Sequence, residues 1–354
     1  GGNDQECPGI ASQSDLYIFK LFTSKQSSYT SWFLDAFNYA LYRGIDVLNL
    51  SIGGPDHNDQ PFIEKIHELA ASGIIIVSAI GNDGIWGSAN NPADMLDVIG
   101  VGGYDNIQDM KSHNSTNTGS TGGTSGSQAS PNIAKRKRAG LRSKDSDKEK
   151  RAVWELSSSN INEHHKWGDV SDFSSRGMTT WDIPTGIGLL KPDLIAPSMS
   201  LYGSSHIAPY KCRTLSGTSV ASPVVSAVVA LLLSTTSNGY SSIRPMLAKR
   251  DLRNVAAVKQ ILHASSEMVG QSSMYEVGSG LLNVDTAIET AISFTPHASL
   301  YPDYISNFPE MCPYYTPYCN QKLFYGSMPL IFNLTVLNSI SVRSAIVGFQ
   351  WEEV

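Results

Sequence analysis

The residues best suited to chemistry stand in one string, Leu215-Ser216-Gly217-Thr218-Ser219-Val220-Ala221-Ser222-Pro223-Val224. Small residues surround a serine at the mouth of a long apolar run, Val220 through Leu233, that reads as a helix. A hydroxyl there lies on a helix N-terminus, where free backbone N–H groups and the helix dipole favour developing negative charge. Attack on a carbonyl creates such a charge beside the nucleophile, so the setting suits acyl transfer with Ser219 as nucleophile. Ser and Thr also cap helices routinely, and a bare Gly-Thr-Ser reads as a cap. The continuation Ala221-Ser222-Pro223 is more than a cap requires.

The ten-residue string resembles the nucleophile segment of subtilisin-like serine proteases. A second stretch, Gly73-Ile74-Ile75-Ile76-Val77-Ser78-Ala79-Ile80-Gly81-Asn82-Asp83-Gly84, reads as a buried β-branched strand stopped by a turn. In that family an amide at such a strand end donates to the tetrahedral oxyanion, and the matching residue is Asn82. Loss of one such donor costs roughly 10²–10³ in turnover. Read by itself, Asn82 is an ordinary turn asparagine. A third stretch, Asp46-Val47-Leu48-Asn49-Leu50-Ser51-Ile52-Gly53-Gly54, is an apolar strand running into glycines. The resemblance implies that it pairs with an extended substrate backbone, with glycines allowing close approach. Leu50, Ser51, Ile52, Gly53, Gly81 and Thr218 are the expected substrate-binding residues.

A serine hydroxyl needs a base, and the base needs an orienting acid. The family supplies these as Asp, then His, then Ser along the chain, in Asp-Thr/Ser-Gly and His-Gly-Thr contexts. None of His57, His67, His113, His164, His165, His206, His263 and His297 has those neighbours. Pro8-Gly9-Ile10-Ala11 resembles the turn that follows the catalytic histidine, so the sequence is expected to open just downstream of the base. A non-catalytic relative that binds peptides along the Ile52-Gly53-Gly54 edge is the rival reading.

Further segments narrow the resemblance. Ser28 through Ala40, Asn91-Pro92-Ala93-Asp94, Asp172-Phe173-Ser174-Ser175-Arg176-Gly177-Met178-Thr179-Thr180-Trp181, Lys191-Pro192-Asp193, and Cys312-Pro313-Tyr314 with Pro317-Tyr318-Cys319 follow in order. They are similar to a secretory-pathway branch of the family. That branch implies an endopeptidase of the endoplasmic reticulum and Golgi lumen, cutting lumenal segments of membrane-anchored precursors with a basic residue four positions before the cut. Membrane association would then come only through segments outside this chain.

These groups need a frame to hold them. With 354 residues, 41% hydrophobic and 16% charged, the chain can bury a large core. Apolar strands at 16–22, 73–79 and 98–101 alternate with helical patterns near 59–72, 218–234, 254–264 and 282–292, which predicts a parallel α/β sheet. The expected fold is a subtilisin-like three-layer α/β fold with a central parallel sheet, truncated at its N-terminus. The peptidase domain is expected over 1–293, and a β-rich extension over 294–354. The extension is signalled by alternation in Leu330-Ile331-Phe332-Asn333-Leu334-Thr335-Val336-Leu337.

The segment from about 106 to 170 interrupts this pattern. It is Ser/Thr/Gly-rich, then basic, with nine Lys/Arg against three Asp/Glu over 135–151, and reads as a disordered surface loop. Without that basic run the net charge of −6 would be −12, which argues against general nucleic-acid affinity despite Lys135-Arg136-Lys137-Arg138. Cys312 and Cys319 could close a loop, while Cys7 and Cys212 could pair or stay free. No zinc spacing occurs. The chemistry needs no cofactor; a structural calcium is implied by the family without assignable ligands. Asn114-Ser115-Thr116 and Asn333-Leu334-Thr335 are glycosylation sequons, and Asn49-Leu50-Ser51 is discounted as lying in a buried strand. Protein substrates are the expected partners.

Overall fold

A computed structural model of the chain describes residues 7–105, 168–177, 179, 188–205, 212–237, 252–269, 272–303, 333–345 and 347–348. Its centre is a five-stranded sheet. Strands β1 (Val47–Leu50), β2 (Ile75–Ala79), β3 (Val98–Asp105) and β4 (Asp169–Val170) lie in that order, and β5 (Leu194–Pro197) also pairs with β3. β1 runs parallel to β2, with Val47 opposite Ile75. β2 runs parallel to β3, with Ile76 opposite Val98, and β3 parallel to β5, with Val101 opposite Leu194.

Side chains alternate across these strands, so each one feeds two cores. On one face Ile75, Val77, Ile99, Val101, Leu194 and Ala196 pack under helix α3 (Thr218–Ser237). α4 (Val255–Ser265) and α6 (Val284–Ser293) close the same core. On the other face Ile74, Ile76, Val98 and Leu50 meet Phe33 and Phe37 of α1 (Thr30–Arg43), and Ile66 and Leu69 of α2 (Gln60–Ala71). The short helix α5 (Met274–Val277) starts at a capping box of Ser273 and Glu276. The expected three-layer α/β fold is therefore present.

Local chemistry sets the helix ends. The Asp59 side chain accepts from the Phe62 N–H at the start of α2, and Pro61 follows, where a missing N–H does no harm. Asn254 and Asn283 cap α4 and α6 in the same way. Gly44 ends α1 with φ +61, a left-handed turn that suits glycine.

Two small antiparallel pairs complete the fold. β6 (Leu201–Ser204) pairs with β7 (Cys212–Leu215), and β8 (Ala298–Tyr301) with β9 (Thr335–Asn338). Cys7 and Cys212 form a disulfide, which settles the pairing that spacing left open.

Three expectations need correction. Residues 16–22 carry no strand; an apolar run suits one, but a strand also needs a hydrogen-bonded partner, and this segment instead packs Leu21 and Phe22 against the α1–α2 core. β4 begins at Asp169, inside the span assigned to the insertion, because Ser171 already donates to Gly103 O at 2.9 Å. Asn49 is exposed rather than buried, since its strand lies at the margin of the described sheet. The insertion over 106–167, the Cys312–Cys319 segment and Asn114 lie outside the described residues.

Candidate active site

The groups singled out from sequence meet at one edge of the sheet. β1, β2 and β5 are parallel to their neighbours, so their C-terminal ends point the same way, the edge where open α/β sheets hold ligands. Beyond β1 come Ser51 to Gly54, beyond β2 comes Gly81-Asn82, and beyond β5 comes Ser198. The Ser198 carbonyl accepts from the Gly217 N–H at 2.9 Å and so ties the entrance of α3 to the sheet.

Ser219 is the second residue of α3 and is half-buried. Val220 N and Ala221 N both donate to Gly217 O, at 2.9 and 3.3 Å, closing the first turn around it. Gly217 has φ +143, and a Cβ built there would lie 2.9 Å from Ser219 Oγ and 3.6 Å from Asn82 Nδ2. The hydroxyl and the amide thus converge on one small space, which glycine keeps open.

The amide has a fixed orientation. Thr218 N–H donates to Asn82 Oδ1 at 2.9 Å, and the Thr218 hydroxyl reaches the same oxygen at 2.9 Å and Gly81 O at 3.1 Å. A backbone N–H can only donate, so Oδ1 is identified and Nδ2 is the donor on the open side. Thr218 is wholly buried, so its side chain steers Asn82 instead of lining a groove.

The other expected binding residues divide. Leu50 is buried in the α1–α2 core and contributes backbone, its carbonyl accepting from Ser78 Oγ at 3.1 Å. Ser51 and Ile52 are half-buried and Gly53 exposed at the strand end. Gly53 is required by its own chain: a Cβ would come within 2.9 Å of Asn90 Cβ. Gly54 faces open space and bridges to Asn91. Gly81, at φ +118, would drive a Cβ to 2.6 Å from both Asn90 Nδ2 and Ser175 Oγ.

Several contributors were not singled out. Asn49 Oδ1 accepts from Ser222 Oγ at 2.7 Å and Ser226 Oγ at 3.0 Å, while its Nδ2 donates to Ser51 Oγ at 2.9 Å. This residue fixes α3 relative to the end of β1. The available signal was a pair of serines four apart on an apolar helix, which share one face. Ser175 holds the amide turn: its N–H donates to Gly81 O at 3.0 Å and its Oγ accepts from Asp83 N–H at 3.2 Å.

The described histidines are engaged elsewhere. His57 lies 3.6 Å from Asp94, His67 2.7 Å from Asp97, and His263 3.8 Å from Asp193, and His297 Nδ1 is 2.8 Å from Thr295 O. His113, His164, His165 and His206 lie outside the described residues. Among the described residues no three or more His, Cys, Asp or Glu side chains gather as a metal site.

A buried charge cluster lies below the site. Asp193 Oδ2 accepts from Lys191 Nζ at 2.7 Å and from Gly100 N at 2.7 Å, and Oδ1 from Lys259 Nζ at 2.8 Å. Burial lowers the Lys191 pKa to about 8, against the pull of Asp193. Burial would raise the Asp193 carboxyl, but the two lysines outweigh it and hold it well below the usual range. His263 is lowered to about 3 by burial, with Lys259 and Lys191 adding to the effect.

A serine on a helix N-terminus, facing a steered amide at the edge of a three-layer sheet, is the arrangement of a subtilisin-like protein. The Subtilase family profile matches residues 1–280, and the chain belongs to that family. A second profile, the third Ig-like domain of MBTPS1, matches residues 301–354. The chain is similar to membrane-bound transcription factor site-1 protease of Homo sapiens, with 43% identity over 344 residues, 97% of this chain and 26% of that protein. It is 40% identical over 342 residues to subtilisin-like protease SBT6.1 of Arabidopsis thaliana, covering 96% of this chain and 26% of that protein. It thus spans about a quarter of the length of these relatives. The self-cleaved protease domain of PatA shares the fold at TM-score 0.53 and 20% identity, covering 82% of this chain and 80% of the other. The narrower resemblance read from the sequence is borne out by these relatives.

Proposed function

We propose that this chain carries the nucleophile and oxyanion site of a serine endopeptidase that works in the secretory-pathway lumen on membrane-anchored precursor proteins. The observation that carries the reading is the convergence of Ser219 Oγ and Asn82 Nδ2 on Gly217. Ser219 Oγ attacks the peptide carbonyl as its proton passes to a base; the base returns that proton to the departing amine as the C–N bond breaks, and water then hydrolyses the acyl-enzyme ester that remains, restoring the serine. Asn82 Nδ2 and the Ser219 N–H face the oxygen that becomes negative, and the start of α3 favours that charge. The described histidines have other partners, so the reading requires a base and its carboxylate from elsewhere in the protein.

The compartment reading is supported by the Cys7–Cys212 disulfide, which suits an oxidising lumen. The substrate class rests on the likeness to site-1 protease. No helix among the described residues is long and apolar enough to cross a membrane. The test is cleavage of a peptide with arginine four positions before an apolar junction by the intact protein. Ser219→Ala should abolish cleavage, and a fluorophosphonate should label Ser219 in the unsubstituted protein. Cleavage surviving the substitution sinks the assignment, while peptide binding without labelling favours the non-catalytic reading.

A further inference from the structure

The turn that presents Asn82 has little rigidity of its own. Gly81, Gly84 and Gly87 all have positive φ within seven residues, and Asn82 and Ile85 are exposed. An oxyanion donor works because it is held in place before the charge develops, so this loop must be held from outside.

Beside the bonds from Thr218 and Ser175, two further restraints act on it. The first is backbone lacing to residues 175–177. Arg176 N donates to Ile85 O at 3.2 Å, and Arg176 O accepts from Gly87 N at 2.8 Å and Ser88 N at 3.2 Å. That segment is tied in turn to α5, because Gly177 N donates to Tyr275 O at 3.1 Å and Arg176 Nε lies 3.3 Å from Glu276 Oε1. The second restraint is Trp86, which packs against a small core of Leu190, Met274, Tyr275, Tyr301 and Leu337.

Tyr301 and Leu337 do not belong to the sheet-and-helix body. They lie on β8 and β9, the antiparallel pair assigned to the C-terminal extension. That pair is anchored firmly: Gln260 Nε2 reaches His297 O, Ser299 Oγ and Leu337 O at 3.0, 2.8 and 2.9 Å, and Tyr301 stacks on His263 with ring centres 3.9 Å apart. A side chain four residues from the oxyanion amide therefore shares its core with the extension.

We propose that the β8–β9 pair braces the oxyanion loop, and that Trp86 is the positioning residue through which the brace acts on Asn82. The inference rests on the peptidase reading above. It assigns the extension a part in turnover, with no contact to substrate required of it.

The test is steady-state peptide cleavage by the intact protein. Trp86→Ala should lower kcat about tenfold or more with KM within about twofold, since a small displacement of a catalytic group is costly. Trp86→Phe should restore most of the turnover by refilling the core. Leu337→Ala should lower kcat in the same direction, and the double variant should lose less than the product of the two, because both act through one cluster. Unchanged kcat in a folded Trp86→Ala protein, or a Leu337→Ala protein that loses melting temperature alone, overturns the proposal. Should Trp86→Ala not fold, unchanged kcat in a folded Leu337→Ala protein overturns it equally. Wild-type protein that cleaves no better than Ser219→Ala overturns the peptidase reading itself, and the inference with it. Normal wild-type cleavage that ignores the Trp86 and Leu337 variants overturns the inference alone.

Discussion

Thr218 turns its backbone N–H and its hydroxyl to the Oδ1 of Asn82, each at 2.9 Å, the hydroxyl also lying 3.1 Å from Gly81 O. The residue just before Ser219 thereby sets which end of the amide is left free. Thr218→Val removes one of the two donors and keeps the shape, so the amide should stay oriented but less firmly held. The expected result is a fall in kcat of about tenfold with KM little changed, against the roughly 10²–10³ expected for Asn82→Ala. Thr218→Ser should stay near wild type. A loss in Thr218→Ser with Thr218→Val near wild type would show that the methyl group matters rather than the hydroxyl.

Gly217 lies between Ser219 Oγ and Asn82 Nδ2 and cannot be widened. A Cβ there meets Ser219 Oγ at 2.9 Å, and φ +143 is strained for any L side chain. Gly217→Ala should reduce turnover at least about 10²-fold, since a displacement of about 1 Å is enough for that. Gly203→Ala is the control, because its Cβ, on β6, would enter open space. Peptide cleavage by both variants, with thermal melts to confirm folding, checks the pair; equal activity would sink the claim.

What was legible in the sequence was local. Ser219 and Asn82 announced themselves because each is embedded in neighbours that shape a helix entrance or a strand end. The parallel strands at 75–79 and 98–101 were legible because β-branched runs ended at turn formers. Residues 16–22 show the limit of that pattern, since an apolar run says nothing about whether a partner strand is present. Asn49 with Ser222, and Trp86 with Leu337, were not legible: each pair joins distant parts of the chain, and periodicity does not encode which apolar or hydroxyl groups meet. Lys191-Pro192-Asp193 was read as a family segment, yet its physical role is a buried ion cluster with Lys259, which no spacing in one sequence reveals.

The Cys7–Cys212 disulfide spans 205 residues of sequence and ends three residues before Leu215, where the nucleophile string begins. Closing so long a loop restricts the unfolded chain strongly, a contribution on the order of 2–5 kcal/mol. Replacing both cysteines by serine should lower stability by that amount in denaturant titrations. Cleavage by the protein that remains folded should change far less. A denaturation midpoint that does not move would mean that the unfolded chain is already constrained by other means.

His263 makes the fold acid-sensitive. Its ring is buried between Asp193 and Tyr301, and its pKa falls from the ordinary 6.5 to about 3, because burial and then Lys259 and Lys191 disfavour a third positive charge more than Asp193 favours it. As pH drops below 6.5 the unfolded chain takes up a proton at this position and the folded chain does not. Stability therefore falls as pH drops from about 6.5 towards 3, by up to ~1.4 kcal/mol per pH unit for this one group. Asp193 continues the trend lower down: its folded pKa lies beneath the ordinary 3.8, so below that value the unfolded chain again binds the extra proton. His263→Gln removes the imidazole proton from the balance. Urea unfolding at pH 6.5, 5.5 and 4.5 should give a shallower loss of stability for His263→Gln than for wild type, whatever the offset from altered packing on Tyr301. Parallel slopes would mean that His263 takes up its proton in the folded state, in which case Asp193 accommodates a third cation.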